Sequence, residues 1–461
     1  MKPLAGILDR RLLEREIAEG RVDTVVTAIP DLYGRLVGKR IHAPFFASEV
    51  LGHGMHVCDY LLACDMEMDP TPGYAFASWA TGYGDLHATP DLTTLRRAAW
   101  LERSAIVLCD VERAGEGPVA VAPRTILRRQ LDRAAERGLS ALVGSELEFF
   151  LFREDYAQAR AKNWRGLVHG HHYVEDYHIL SGSFVEPVIG AIRRHVDASG
   201  IPVEFSKGEW GPGQHEINLR YAPALEMADR HVVYKLAAKE IAAAAGFSLT
   251  FMAKFQEDLA GSSLHVHVSL IDAAGAPVFR GDEELPGAPV RASARFRWFL
   301  RGLLAHAREL ALFFAPNPNS YKRYRRGTFA PTGIAWSYDN RTAGFRVVGH
   351  GDSLRVECRI PGADANPYLA YAALLAAGLA GVEARQEPGP AFRGDVYAAQ
   401  GLPQIPGSLD EAMRELEQSR LARDAFGDAV VEHLLHFTRS EQRALESRVS
   451  DVERARYFER V

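Results

Sequence analysis

The sequence predicts an α+β protein in two parts, a small β-rich region over residues 1–112 and a larger mixed region over 118–461. Three observations carry that expectation. Up to about residue 112 the chain is dense in β-branched residues punctuated by Pro, Asp and Gly. The Gly- and Pro-rich break "ERAGEGPVAVAPR" follows, and beyond it helical and alternating patterns succeed one another in irregular order.

The opening "MKPLAGILDRRLLEREIAEG" interrupts its apolar residues with charges, so it lacks a signal-peptide h-region and predicts a short amphipathic helix. "RVDTVVTAIPDLYG", "GYGDLHATPDLTTL" and "AIVLCDV" predict short strands joined by turns. The Gly/Pro break is the candidate linker, and "TILRRQLDRAAERG" after it has helical spacing ending at Gly138. "DRHVVYKLAAKEIAAAAG" reads as a helix, "ANPYLAYAALLAAGLAG" as another with Asn366 at its N-cap and Pro367 at its first position, and "SLDEAMRELEQS" as a third with a capping box in Ser408 and Glu411.

With 461 residues, 47% of them hydrophobic, the chain can bury the core of two domains. A net charge of −5 with 25% charged residues gives no field to draw it to phosphate backbones or anionic lipid, so nucleic acid is excluded as the expected partner. The longest apolar run, from Tyr368, falls short of the roughly 20 residues a membrane span needs. Cys58, Cys64, Cys109 and Cys358 form no CxxC pair, which fits a reducing, cytoplasmic compartment.

The chemistry is concentrated in strands with a polar face. In "VGSELEFFLF", Glu146 and Glu148 are two apart and share one face, with Leu147 and Phe149 on the other. Alone, such a face would be an ordinary wet surface. The arrangement returns in "SSLHVHVSL", where His265, His267 and Ser269 align, and in "LRVECRI", where Arg355, Glu357 and Arg359 do. In "GEWGPGQHEINL", Glu209 and Glu216 flank a Gly-Pro-Gly turn and can reach one point. Five carboxylates and one imidazole suit hard divalent cations such as magnesium or manganese, and arginines beside them suit a nucleotide triphosphate. "GRLVGKR" is not a P-loop, no GxGxxG follows a strand, and no GxSxG is present, so an ATP site here has to be built on a sheet.

At these residues the chain resembles the glutamine synthetase family over nearly its whole length. "GSELEFF", "GQHE", "LHVHVSL" and "NSYKR…APT…DNRT…RVECRIPGADANPYL" stand in the family's order. The resemblance implies an N-terminal β-grasp domain and a catalytic domain whose curved antiparallel sheet forms a funnel. It implies two to three magnesium or manganese ions with ATP as co-substrate, and L-glutamate and an amine as partners. It also implies a homo-oligomer, a dodecamer of two hexameric rings. Residue by residue, Glu148, Glu209 and Glu216 would hold one metal and Glu146, His265 and Glu357 the other. His267, Ser269, Arg346 and Arg355 would line the nucleotide side, and Gly261, Arg323, Arg341 and Arg359 would hold glutamate and the transferring phosphoryl group.

The departures concern the amine. Glutamine synthetases carry a glutamate just before "AP" on the flap, where this chain has Phe329 in "RGTFAPTG". Ammonium needs carboxylates around it, whereas an alkylated amine needs room and an apolar wall. An aromatic residue here resembles the branch that joins glutamate to polyamines, ethanolamine or small alkylamines. Ala260 stands where the family has an Asn near the glutamate backbone. Asp31 in "PDLYGRLVGKR" matches the acid that reaches into a neighbouring subunit to attract the amine cation. "HGHHYVEDYH" is placed either at the amine entrance or on an exposed loop, and "HGMHVCDYLLAC" fits no zinc pattern. The expected activity is therefore ligation of glutamate to an organic amine. Ammonia-dependent glutamine synthesis and a non-catalytic relative are the alternatives.

Overall fold

A computed structural model describes residues 4–461. The amphipathic helix forms at Arg10–Ala18, where the Asp9 carboxylate caps it by accepting from the Leu12 backbone N–H. The first sheet runs in the order Leu36–His42, Thr24–Pro30, Ser104–Arg113, Asp85–Pro90, Met55–Cys58. Thr24–Pro30 is antiparallel to its hairpin partner Leu36–His42 and parallel to Ser104–Arg113, the mixed pairing of a β-grasp. The Gly/Pro segment read as the candidate linker folds back as a tight hairpin, with Gly117 and Pro118 paired to Arg113 and Glu112. Gly115 and Gly117 take φ near +80°, which the turn requires and glycine permits.

The helix Pro123–Ala135 then carries Arg124 into the interior. Its guanidinium reaches Asp91 and Asp110 of the first region and grips Asp229 in the helix Ala224–Ala244 with two bonds of 2.9 and 2.8 Å. Tyr368 donates to the same Asp229 at 2.6 Å. An arginine that is 2% exposed is tolerable only with such pairing. It ties the first sheet to the helices that back the second.

The second sheet has eight strands in the order Trp336–Tyr338, Phe345–Val348, Arg355–Cys358, Leu264–Asp272, Leu139–Phe152, Gln214–Pro223, Val203–Gly208, with Ser248–Thr250 also on Leu139–Phe152. Every pairing but the first is antiparallel, and the sheet curls into a half-barrel. Along Leu139–Phe152, Leu147 and Phe149 face the helices and are fully buried, leaving the glutamates on the concave side.

Pro367–Ala384 is apolar all round and sits in the core, with 78% of it buried, so its capacity to cross a membrane by length and composition is spent inside the protein. Asn366 caps it as expected, accepting from Tyr368 N–H at 3.1 Å. It meets Ala294–His306 backbone to backbone: a Cβ on Gly302 would stand 2.1 Å from the Ala377 carbonyl oxygen, and one on Gly381 would stand 2.1 Å from that of Trp298. At Leu409–Gln418 the Ser408 hydroxyl caps Glu411 N–H, while the Glu411 carboxylate turns to Gly407 N–H instead of closing the expected box.

Candidate active site

The strand register brings the polar faces together. Glu216 pairs directly with Glu148, and Asn218 with Glu146, across one strand boundary. Across the other, His265 lies opposite Glu146, His267 lies opposite Glu357, and Arg346 lies opposite Glu357 one strand further on. The Gly-Pro-Gly turn folds Glu209 back so that it joins them. Oxygens of Glu148, Glu209 and Glu216 lie within 4.8 Å of one another, as do ligand atoms of Glu146, Glu216 and His265, and of Glu146, His267 and Glu357.

The first expected metal set is thus assembled as one group. In the second, His265 Nδ1 is 3.2 Å from Glu146 and 3.8 Å from Glu357, but His267 also enters, with its Nε2 2.7 Å from Glu146 Oε1. His267, expected on the nucleotide side, therefore belongs both to the acidic cluster and to the lining of a cavity beside it.

The electrostatics argue for cations. Like charges directly opposed on a sheet repel, and both here are buried. Burial, and then the charge of Glu209, pushes Glu148 up to about 8. Burial and the neighbouring glutamates push Glu216 well above the usual carboxylate range. The Glu216 carboxylate has no ion-pair partner among the described residues, and His265 Nε2 is buried without a partner. Burial and the Arg359 charge bring His265 down to about 4, so the ring is neutral and able to ligate. Burial opposes ionisation of Glu146, but the bonds from His265 and His267 outweigh it and hold its carboxyl well below its usual value. A converging set of carboxylate oxygens, with Glu148 and Glu216 opposed and buried and one neutral imidazole beside them, fits hard divalent cations.

Two cavities open from this cluster and share Glu146 and Asn218. One is lined by Ser145, Tyr221, His267, Ser269 and Arg355, with Arg355 Nε donating to His267 Nδ1 at 3.2 Å. The other holds Glu148, Glu209, Gly261, Phe329, Arg341 and Arg359. Gly261 is required there by close packing, since a Cβ would come within 2.5 Å of the Ala253 carbonyl oxygen.

Two expected residues, Arg346 and Arg323, are placed differently, while Asp31 was expected to serve a neighbouring subunit rather than its own cavity. Arg346, expected on the nucleotide side, lines the cavity that holds Glu148 and Glu209 and not the one lined by His267 and Arg355, and is ion-paired to Glu357 at 2.7 Å and to Asp339. Arg323 is 1% exposed and donates to the carbonyls of Ile360 and Arg359 and to the Ser263 hydroxyl, so it shapes the wall that carries Arg359 rather than facing the cavity. Asp31 is buried in its own turn, accepting from Arg35 N–H at 2.8 Å and Arg35 Nε at 2.6 Å, outside its own chain's cavity.

Phe329 stands at the cavity mouth, 45% exposed, with φ of +59°, an uncommon backbone for an aromatic residue. Its ring meets Trp210 edge to face, centroids 5.9 Å apart. Trp210, Asp176, Tyr177 and Lys207 line the same cavity and were not singled out from the sequence, although "HGHHYVEDYH" held two of them. The available signal was an exposed Trp between two glycines beside an acid; the fold of the loop over 173–178 carried no local pattern.

Residues 120–457 match the family model described as glutamine synthetase, catalytic domain. With the cluster and the half-barrel as described, the chain belongs to the glutamine synthetase family. It is similar to the gamma-glutamylethanolamide synthetase GlnA4 of Streptomyces coelicolor, at 48% identity over 96% of this chain and 94% of the relative. It is 36% identical to the glutamate–isopropylamine ligase of a Pseudomonas species over 96% of both chains. A glutamine synthetase of Mycobacterium tuberculosis is 35% identical over 81% of this chain and 85% of that one. A solved complex of GmaS with ADP superposes with a TM-score of 0.84 at 29% identity, covering 97% of this chain and 99% of the other.

Proposed function

We propose that this protein is an ATP-dependent ligase joining the γ-carboxylate of L-glutamate to an organic primary amine such as ethanolamine, a small alkylamine or a polyamine. The observation that carries the reading is the pairing of Phe329 with Trp210 at the mouth of the acid cavity, where an ammonium-using enzyme needs a carboxylate. The relatives named for ethanolamine and isopropylamine products support it.

In this reading Arg355, His267 and Ser269 hold the nucleotide, with its phosphates directed at the cluster. Gly261, Arg341 and Arg359 hold glutamate on the other side. Glu146, Glu148, Glu209, Glu216, His265 and Glu357 hold divalent metal, magnesium or manganese, at two to three positions. Bound metal supplies charge neutralisation at the phosphoryl oxygens. The γ-carboxylate oxygen of glutamate attacks the terminal phosphorus of ATP, the bond to ADP breaks, and a γ-glutamyl phosphate forms. Arg341 and Arg359 offset charge on the phosphoryl and carbonyl oxygens. The alkylammonium first gives one proton to a cavity carboxylate such as Glu209. The amine nitrogen then bonds to the γ-carbon, phosphate leaves with the C–O electron pair, and the second amine proton leaves with the phosphate. Phe329 and Trp210 exclude water during that step and accept the alkyl arm.

The proposal extends to organisation. The chain divides into domains at 1–112 and 118–461, and a dodecamer would let Asp31 serve a neighbouring cavity once released from Arg35. Four unpaired cysteines agree with a cytoplasmic, reducing location. The test is phosphate release with magnesium, ATP and glutamate across ammonia and an amine panel. Clear preference for ammonia would replace this reading with glutamine synthesis, and absence of ATP cleavage with every amine would point to the non-catalytic alternative.

A further inference from the structure

The wall of the acid cavity carries an ammonium group of its own. Lys207 lies on Val203–Gly208, in register with Glu216. Its Nζ is 2.6 Å from Glu209 Oε1, 3.6 Å from Asp176 Oδ1 and 4.3 Å from the centroid of the Tyr177 ring, and it donates to the Gly208 carbonyl at 3.2 Å. Carboxylates beside an aromatic face are the groups that recognise an ammonium cation. A side chain of the protein fills that recess.

The recess is held from behind. Val174 bridges to Pro212, and the next residue, Glu175, is fully buried with its carboxylate 3.5 Å from His215 Nε2. Glu175 packs on Gly208 so closely that a Cβ there would stand 2.4 Å from its own Cβ. Tyr177 adopts φ of +57° as its ring covers Lys207. Toward the mouth the wall turns apolar, with Trp210 and Phe329.

We propose that Lys207 determines amine specificity: it occupies the cation position, excludes ammonium and diamines, and leaves the site to monoamines with an apolar or hydroxyalkyl arm. The proposal rests on the ligase reading and narrows it. Free ammonium must displace a tethered cation whose local concentration is on the order of millimolar or higher. A monoamine keeps its affinity through the arm lying against Trp210 and Phe329. The second cation of a diamine meets Lys207 in place of an acid, and like charges at that range repel.

The experiment compares wild type, Lys207→Met and Lys207→Arg with magnesium-ATP and glutamate, measuring kcat and KM for ammonium chloride, ethanolamine and 1,4-diaminobutane. In Lys207→Met the kcat/KM ratio of ammonium to ethanolamine rises about tenfold or more, chiefly through a lower KM for ammonium, with 1,4-diaminobutane following. Lys207→Arg keeps the wild-type ratio. Ammonium chloride, against sodium chloride at equal ionic strength, raises the melting temperature of Lys207→Met and not of wild type. An unchanged ratio in an active Lys207→Met overturns the proposal, and if that variant turns over no amine, absence of the ammonium-specific melting shift overturns it. A wild type that uses no amine at all removes the ligase reading, an outcome distinct from an active enzyme indifferent to Lys207.

Discussion

Glu148 and Glu216 face each other as direct partners on adjacent antiparallel strands, both buried, with Glu209 folded in beside them. Without a cation this arrangement costs free energy. In the metal-free protein Glu148 is pushed up to about 8, so the stability this proton-binding contributes is complete below the ordinary value near 4.5 and is lost as pH rises through about 8. Above about pH 6.5, where the buried histidines are neutral in folded and unfolded chain alike, the melting temperature of metal-free protein therefore falls toward pH 8, and magnesium or manganese flattens the decline. Glu216→Gln raises the metal-free melting temperature at pH 8 and shrinks the metal-induced shift. Calorimetry with and without chelator checks both.

Phe329→Glu places a carboxylate at the mouth beside Trp210. The expected outcome is a rise in kcat/KM for ammonia and a fall for ethanolamine, each about tenfold, the scale of adding one charge for ammonium and removing one apolar wall from the alkyl arm. Steady-state kinetics with both amines check it, and unchanged ammonia use would remove Phe329 as the discriminating residue.

Arg355 and Arg341 lie on opposite sides of the cluster. Arg355→Ala raises KM for ATP by about tenfold or more with little change for glutamate, and Arg341→Ala does the reverse, since each removes one charge-assisted hydrogen bond to a different substrate. Equal effects on both substrates from either variant would contradict the two-sided assignment.

The reach of sequence reasoning over this site has a physical boundary. Period-two alternation made the shared faces of Glu146 with Glu148 and of His265 with His267 legible. It could not reveal that Glu216 would pair with Glu148, because register depends on strands far apart in the chain. The buried Pro367–Ala384 helix was legible from its cap and its uniform apolarity. Lys207 and Tyr177 were not, because the cavity receives them only after the loop anchored by Glu175 folds over Gly208. Arg323 reads as a substrate ligand by motif, yet its two terminal nitrogens donate to the carbonyls of Ile360 and Arg359. The Gly-rich segment after Glu112 signalled a break in pattern, which a hairpin satisfies as well as a linker does.

Helix packing behind the sheet supplies a structural prediction. Gly302→Ala forces a methyl against the Ala377 carbonyl and pushes Ala294–His306 away from Pro367–Ala384. Overpacking of this kind costs about 1–3 kcal/mol. A lowered denaturation midpoint with metal-binding residues untouched is the expected result, and a neutral outcome would show that the helices separate freely.

His433 is buried, donates from Nε2 to the Leu62 carbonyl at 2.8 Å, and is brought down to about 4 mainly by burial. The unfolded chain binds this proton near pH 6.5 and the folded one does not, so stability falls as pH drops from about 6.5 to 4. His433→Gln flattens that slope in acid unfolding monitored by fluorescence, and an unaltered slope would assign the acid sensitivity elsewhere.

The most direct measurement offers the protein magnesium-ATP, L-glutamate, and ethanolamine and ammonium at equal concentration, then identifies the product by mass spectrometry. The account predicts γ-glutamylethanolamide as the main product, formed one for one with ADP and phosphate. Glutamine as the main product, or ADP formed with neither amide, would contradict it.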